Sequence, residues 1–147
     1  MQKHYSILLL AASFVAVAGC DDGTLRTYPV SGTVTFQGEP LAGATVGFSP
    51  KVEGEGHGGF ARTNAQGFYQ IQTTQGRVNA GTTPGEYFVT ITKVDMVGTG
   101  RFMTDSDGTR REIETPVSAI PEIYSSAEAG LSATVVRGNN VFNFDLV

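Results

Sequence analysis

Residues 29–50, PVSGTVTFQGEPLAGATVGFSP, decide the fold of this chain. From Val30 the residues alternate. Val30, Gly32, Val34 and Phe36 point one way, and Ser31, Thr33, Thr35 and Gln37 point the other. A period of two marks a strand with one buried and one wet face. Gly38-Glu39-Pro40 interrupts the run, because proline cannot donate to a ladder and glycine supplies unusual dihedrals. Alternation resumes with Ala44, Val46 and Phe48 inward and Thr45, Gly47 and Ser49 outward. The stretch predicts two strands joined by a turn.

The same pattern recurs further along. Residues 59–63 read as a short strand, Asn64-Ala65-Gln66-Gly67 as a turn, and 68–74 as a strand with Tyr69 and Ile71 inward, the two strands forming a hairpin. Residues 86–94 alternate most clearly, with Tyr87, Val89 and Ile91 on one face and Phe88, Thr90 and Thr92 on the other. Leu131, Ala133 and Val135 mark a strand, Gly138-Asn139-Asn140 a hairpin turn, and Phe142, Phe144 and Leu146 a last strand. Residues 50–58 and 75–83 are polar loops, and 125–130 is a loop or a single helical turn. Residues 95–120 hold charge and glycine without sustained alternation. They read as a long, partly mobile excursion with one short strand at 112–115. About seven short strands separated by Gly, Pro and Asn turns, with no amphipathic helix, imply an all-β sandwich.

Composition agrees. At 147 residues the chain suits one domain, and 19 glycines with few charges favour strands and turns. The net charge of −4 comes without a basic run, so the electrostatic footprint of a nucleic-acid partner is missing. The single cysteine, Cys20, excludes an internal disulfide.

The N-terminus reads as a separate object. A short basic start at Lys3 and His4 precedes an apolar run from 7 to 17, too short for a comfortable membrane span. It has the shape of a secretory signal. Its end, Val17-Ala18-Gly19-Cys20, resembles the lipobox of bacterial lipoprotein precursors. The resemblance implies diacylglycerol on the Cys20 sulfur, cleavage before Cys20 and acylation of the new amino terminus. The expected organisation is a signal peptide over 1–19, a lipidated tether over 20–27 and one domain over 28–147. The domain would sit outside the cytoplasm, anchored to a bacterial inner or outer membrane. Two or three acyl chains anchor stably, since each buried methylene contributes about 0.8 kcal/mol.

Three elements in order carry a second resemblance. The opening Val30-Ser31-Gly32-Thr33-Val34 with Gly38-Glu39-Pro40-Leu41-Ala42-Gly43-Ala44-Thr45-Val46 is followed by Thr63-Asn64-Ala65-Gln66-Gly67-Phe68-Tyr69-Gln70-Ile71 and by Pro84-Gly85-Glu86-Tyr87-Phe88-Val89-Thr90-Ile91. Together they resemble the carboxypeptidase regulatory-like domain. The tail from Ile120-Pro121-Glu122-Ile123-Tyr124 onward is similar to the end of short bacterial lipoproteins that carry it. The resemblance implies a seven-stranded, transthyretin-like Greek-key sandwich, a structural or binding module without catalysis and without a cofactor. Nothing carries over to 95–120.

Several residues invite sharper readings. Transthyretin-like folds include 5-hydroxyisourate hydrolases, which need histidines, an arginine and a Tyr-Arg-Gly-Ser tail. The domain holds one histidine, His57, in a glycine-rich loop, and ends Phe144-Asp145-Leu146-Val147. General acid–base work needs an orienting partner for its titrating group, so His57 reads as a solvated loop residue. Asp105-Ser106-Asp107-Gly108 has the look of a calcium loop, but its twelfth position is Pro116 rather than a bidentate glutamate. An irregular site with Glu112 and Glu114 would be needed, and an acidic turn is the simpler reading. Lys93 raises an isopeptide bond, which requires burial beside an acid; at a strand end its ammonium reaches water instead. Tyr28, Phe60, Phe88 and Phe102 would form an aromatic patch for a glycan or protein of the envelope if they cluster. The 95–120 segment is the candidate carbohydrate- or peptide-binding element. Edge strands of such sandwiches also pair between copies.

Overall fold

The computed structural model describes residues 26–73 and 81–147. The signal segment, Cys20 and most of the tether lie outside the described residues, as do 74–80 of the polar loop. The described chain is all-β, with twelve strand segments in three sheets and two short 3-10 turns, Glu122–Ser125 and Ala127–Ala129.

The opening stretch keeps the faces its alternation predicts, but its two main strands go to different sheets and the Glu39-Pro40 part of the expected break is itself paired. Strand β1, Val30–Phe36, buries Val30, Gly32 and Val34. Gln37 and Gly38 both take positive φ, 51° and 85°, the two-residue turn whose twist suits a hairpin. The chain returns at once as β2, Glu39–Pro40, paired antiparallel to Thr35 and Phe36. Strand β3, Thr45–Pro50, buries Val46 and Phe48. Its neighbours are β4, Gly59–Arg62, and β7, Gly85–Thr92.

Two expected hairpins divide between sheets. After the Asn64 turn, β5, Phe68–Gln70, pairs with β1 rather than β4. Past Ile71, β6, Gln72–Thr73, pairs with β4. The chain therefore changes sheets at Ile71, with Tyr69 and Ile71 both buried between the layers. Likewise β10, Ser132–Val135, pairs with β7, whereas β11, Asn140–Val141, pairs with β1. The Gly138-Asn139-Asn140 turn is a crossing, not a hairpin. Asn140 stabilises it by accepting from Val136 N and donating to the carbonyls of Val136, Gly138 and Pro29. The last strand, β12, Phe144–Leu146, runs parallel to β1.

One five-stranded sheet is thus built around β1, and a second has the order β10-β7-β3-β4-β6. They enclose a single core, in which the Phe48 ring lies 6.5 Å from Tyr69, 5.9 Å from Tyr87 and 6.1 Å from Phe142. Gly32 is essential to this closure. A Cβ there would lie 1.7 Å from the Phe142 carbonyl oxygen, which turns inward and accepts from Tyr69 Oη at 2.7 Å. Asn143 Oδ1 then takes the Thr33 N–H in place of a backbone carbonyl. Burial pushes the Tyr69 phenol far above its usual range.

Residues 95–120 differ from the sequence expectation. Strand β7 continues beyond Lys93 as β8, Val94–Thr104, which turns back as β9, Arg110–Ser118. Among the described residues the two pair only with each other. The segment is an ordered two-stranded ribbon, not an excursion with one short strand.

Candidate functional site

The ribbon is rooted in the core and projects from it. Ala119 N donates to the Lys93 carbonyl at 2.8 Å, and buried Ile120 anchors the returning chain. Beside the root lies an open cleft of about 260 Å³ lined by Ile91, Val94, Pro116, Ile120 and Pro121 among others. Outward from there both faces of the ribbon are wet. Met96, pairing with Pro116, is 58 % exposed, and Phe102, pairing with Glu112, is 50 % exposed. On the other face Val97, Met103 and Val117 are also exposed.

Midway, three residues of β8, Thr99, Gly100 and Arg101, oppose Ile113 alone. Glycine at 98 leaves the space that the Glu112 carboxylate occupies, since a Cβ there would be 2.5 Å from Oε1. Glu112 Oε1 accepts from Gly100 N at 2.8 Å, and Thr99 Oγ1 donates to the Ile113 carbonyl at 2.6 Å. This bulge bends the strand and interrupts its outer edge. Beyond it the Arg110 guanidinium stacks over Phe102, 4.2 Å from the ring centroid.

At the tip, Asp105 pairs with Arg111 at 2.7 Å. Thr109 N donates to Asp107 Oδ1 at 2.9 Å. That backbone bond, with help from the Thr109 hydroxyl, holds the Asp107 carboxyl below the usual range. The tip aspartates are thus engaged as an acidic turn, and no metal-holding group of three acidic, His or Cys side chains occurs among the described residues.

The other sequence candidates are dispersed. His57 lies in the 51–58 loop, where its N–H donates to Thr83 Oγ1 at 2.9 Å and its carbonyl accepts from Thr82 Oγ1. The hydroxyls of Thr82 and Thr83 in turn bond Tyr87 Oη. These contacts pin the loop to β7. They offer no carboxylate to the imidazole, which is half-buried rather than solvated as its loop implied, with an Nδ1 that is buried and has no partner among the described residues. Lys93 pairs with Asp95 at the surface. Phe60 and Phe88 project from the outer face of the second sheet, where Lys51 Nζ lies 5.5 Å from the Phe88 centroid. Phe102 is on the ribbon, and Tyr28 bridges to Thr82. The four aromatics do not form one patch.

Sequence reasoning overlooked the polar residues that join motif to motif. Buried Thr63 donates from Oγ1 to the Leu41 carbonyl and accepts from Ala44 N at 2.8 Å. Asn64 Oδ1 accepts from Gln66 N and Phe68 N. Gly67 presses on β1, with a Cβ there placed 2.4 Å from the Val34 carbonyl oxygen. The available signal was the adjacency of Thr63 to a strong Asn turn.

No family model matches the chain. No curated protein sequence matches it either. Among solved structures, a 9R-lipoxygenase from Cyanothece PCC8801 is similar at 14 % identity and a TM-score of 0.38, covering 83 % of this chain and 16 % of that one. A chlorocatechol 1,2-dioxygenase from Pseudomonas putida is similar at 18 % identity and 0.34, covering 86 % and 60 %. The chain thus spans less than two thirds of either.

Proposed function

We propose that this protein is an exported lipoprotein, anchored through Cys20, whose non-catalytic sandwich presents the β8–β9 ribbon to a partner in the cell envelope. The ribbon carries this reading. A two-stranded hairpin has marginal stability alone in water, yet here about twenty residues project with Met96, Val97, Phe102 and Met103 exposed. Exposed apolar side chains on a projecting element mark an interaction surface. The lipobox-like Val17-Ala18-Gly19-Cys20 supplies the address.

The fold we assign within the sandwich class is the transthyretin-like Greek key of carboxypeptidase regulatory-like domains, with about seven principal strands. The interlock of the three motifs supports it. Thr63 of the second motif bonds Leu41 and Ala44 of the first, and Val46 and Phe48 lie opposite Ile91 and Val89 of the third.

Intact mass and membrane fractionation of wild type and Cys20→Ala test the anchor. Wild type is expected in the membrane, starting at Cys20 and heavier by its acyl chains; a soluble, unlipidated wild type would refute it. Glycan and peptide pull-downs with and without residues 95–118 test the ribbon, and binding that persists without it would show that the surface lies elsewhere.

A further inference from the structure

Among the described residues the β9 edge of the ribbon is continuous and unpaired, and its charges are complementary to themselves. The Ala119 N–H donates to the Lys93 carbonyl and the Thr109 carbonyl accepts from Asp105 N, the residues that flank β8, and the Ile113 carbonyl accepts from Thr99 Oγ1. Backbone direction alternates along a strand. The odd-numbered residues of β9 therefore turn their peptide groups toward β8, and Arg110, Glu112, Glu114 and Pro116 turn theirs outward. Pro116 has no N–H and ends the usable run on the body side, as prolines do on edge strands. The tip turn ends it on the other side. Three consecutive outward residues remain, Arg110, Glu112 and Glu114. On the outer edge of β8 the Thr99–Arg101 bulge cuts Val94, Met96 and Gly98 off from Phe102 and Thr104, and none of these residues carries a charge that could set a register.

We infer that β9 pairs edge to edge with β9 of a second copy, antiparallel and centred on Glu112. This deepens the reading of the ribbon as the binding surface and rests on it. Only this register gives all three outward residues a partner. It sets Arg110 opposite Glu114 of the other copy, twice by symmetry, and opposite charges facing across strands stabilise a pair. The two central Glu112 residues face each other, but each carboxylate is already drawn back across its own ribbon to Gly100 N. Arg111 falls opposite Ile113. The result is a four-stranded sheet, β8-β9-β9-β8, which exceeds the strand count that leaves a lone hairpin marginal. The exposed side chains of both ribbons then adjoin on each face. The contact is small beside a standard protein interface, so confinement of both copies to one membrane raises its occupancy through effective concentration.

Two differently tagged full-length copies test the register. One carries Arg110→Cys and the other Glu114→Cys, co-expressed in the host bacterium and treated with a thiol oxidant. Directly opposite Cα atoms in a hydrogen-bonded antiparallel pair lie about 5.5 Å apart, within disulfide reach. A disulfide joining the two tags is expected from the mixture, and not from either variant alone, whose introduced thiols lie four residues out of register. Wild type reports any linkage through Cys20, and the same pair in a Cys20→Ala background separates failure of the anchor from failure of the pairing.

Charge reversal gives an independent check, read as co-purification of tagged copies. Arg110→Glu alone and Glu114→Arg alone are each expected to lower self-association several-fold, and mixing the two is expected to restore it. The inference is overturned if the mixed cysteine pair links no more than the single variants, if it links instead to a protein of different mass, or if mixing the charge variants restores nothing.

Discussion

Strands β7 and β8 are one nearly continuous piece of chain, separated by Lys93, yet they live in different surroundings. In β7, Tyr87, Val89 and Ile91 are fully buried. In β8, residues of similar apolarity, Met96, Val97, Phe102 and Met103, are exposed. The chain chemistry of the two stretches is alike; their neighbours are not. Strand β7 lies between β3 and β10 under a second sheet, whereas among the described residues β8 pairs with β9 alone. Burial belongs to the assembly of strands and not to the strand.

The largest expected contrast comes from truncating one aromatic on each side. Phe48→Ala removes the ring that joins both sheets, and chemical denaturation is expected to show a loss of about 3–5 kcal/mol. A loss well below that would mean that the core closes over the gap. Thr63→Val comes next. It leaves the Ala44 N–H and the Leu41 carbonyl buried without their partner, at a cost of about 1–3 kcal/mol.

Tyr69→Phe is smaller at neutral pH, about 1 kcal/mol for the bond to the Phe142 carbonyl. Its signature is in alkali. Burial raises the folded-state phenol above the unfolded value, which is about 10. The neutral phenol therefore contributes full stability below that pH, and stability declines as pH rises beyond it, where only the unfolded chain ionises. Unfolding midpoints measured from neutral into alkaline pH should fall less steeply for the variant. Identical slopes would show that Tyr69 is not sealed in the core.

Phe102→Ala should change the unfolding free energy of the sandwich by less than about 0.5 kcal/mol. Hydrogen exchange sharpens the same point. Amides of β8 and β9 are expected to exchange through local opening, while those of β3 and β7 wait for global unfolding. Equal protection in the two regions would make ribbon and sandwich one cooperative unit.

Much of the inward-facing set was legible because side-chain direction is local. Val30, Val34, Val46, Phe48, Tyr69, Tyr87, Val89, Ile91, Phe144 and Leu146 are all buried as their alternation implied. The Asn64 turn was legible for the same reason, since one side chain closes it by bonding its own backbone. The ribbon was not legible, because with water on both faces no apolar period survives to mark its strands. The Arg110, Glu112 and Glu114 edge was equally hidden. It exists only once the register of β8 on β9 decides which peptide groups point outward.

Sequence by itself determined the all-β class, the faces of the main strands and the positions of the tight turns, because pleat and turn chemistry act over a few residues. Tertiary structure alone decided that the chain changes sheets at Ile71, that the last strand runs parallel to the first, and that Gly32 must yield to the Phe142 carbonyl. Each of these joins residues distant along the chain. Such partners are selected by packing two sheets around one core, a condition that no short window of sequence contains.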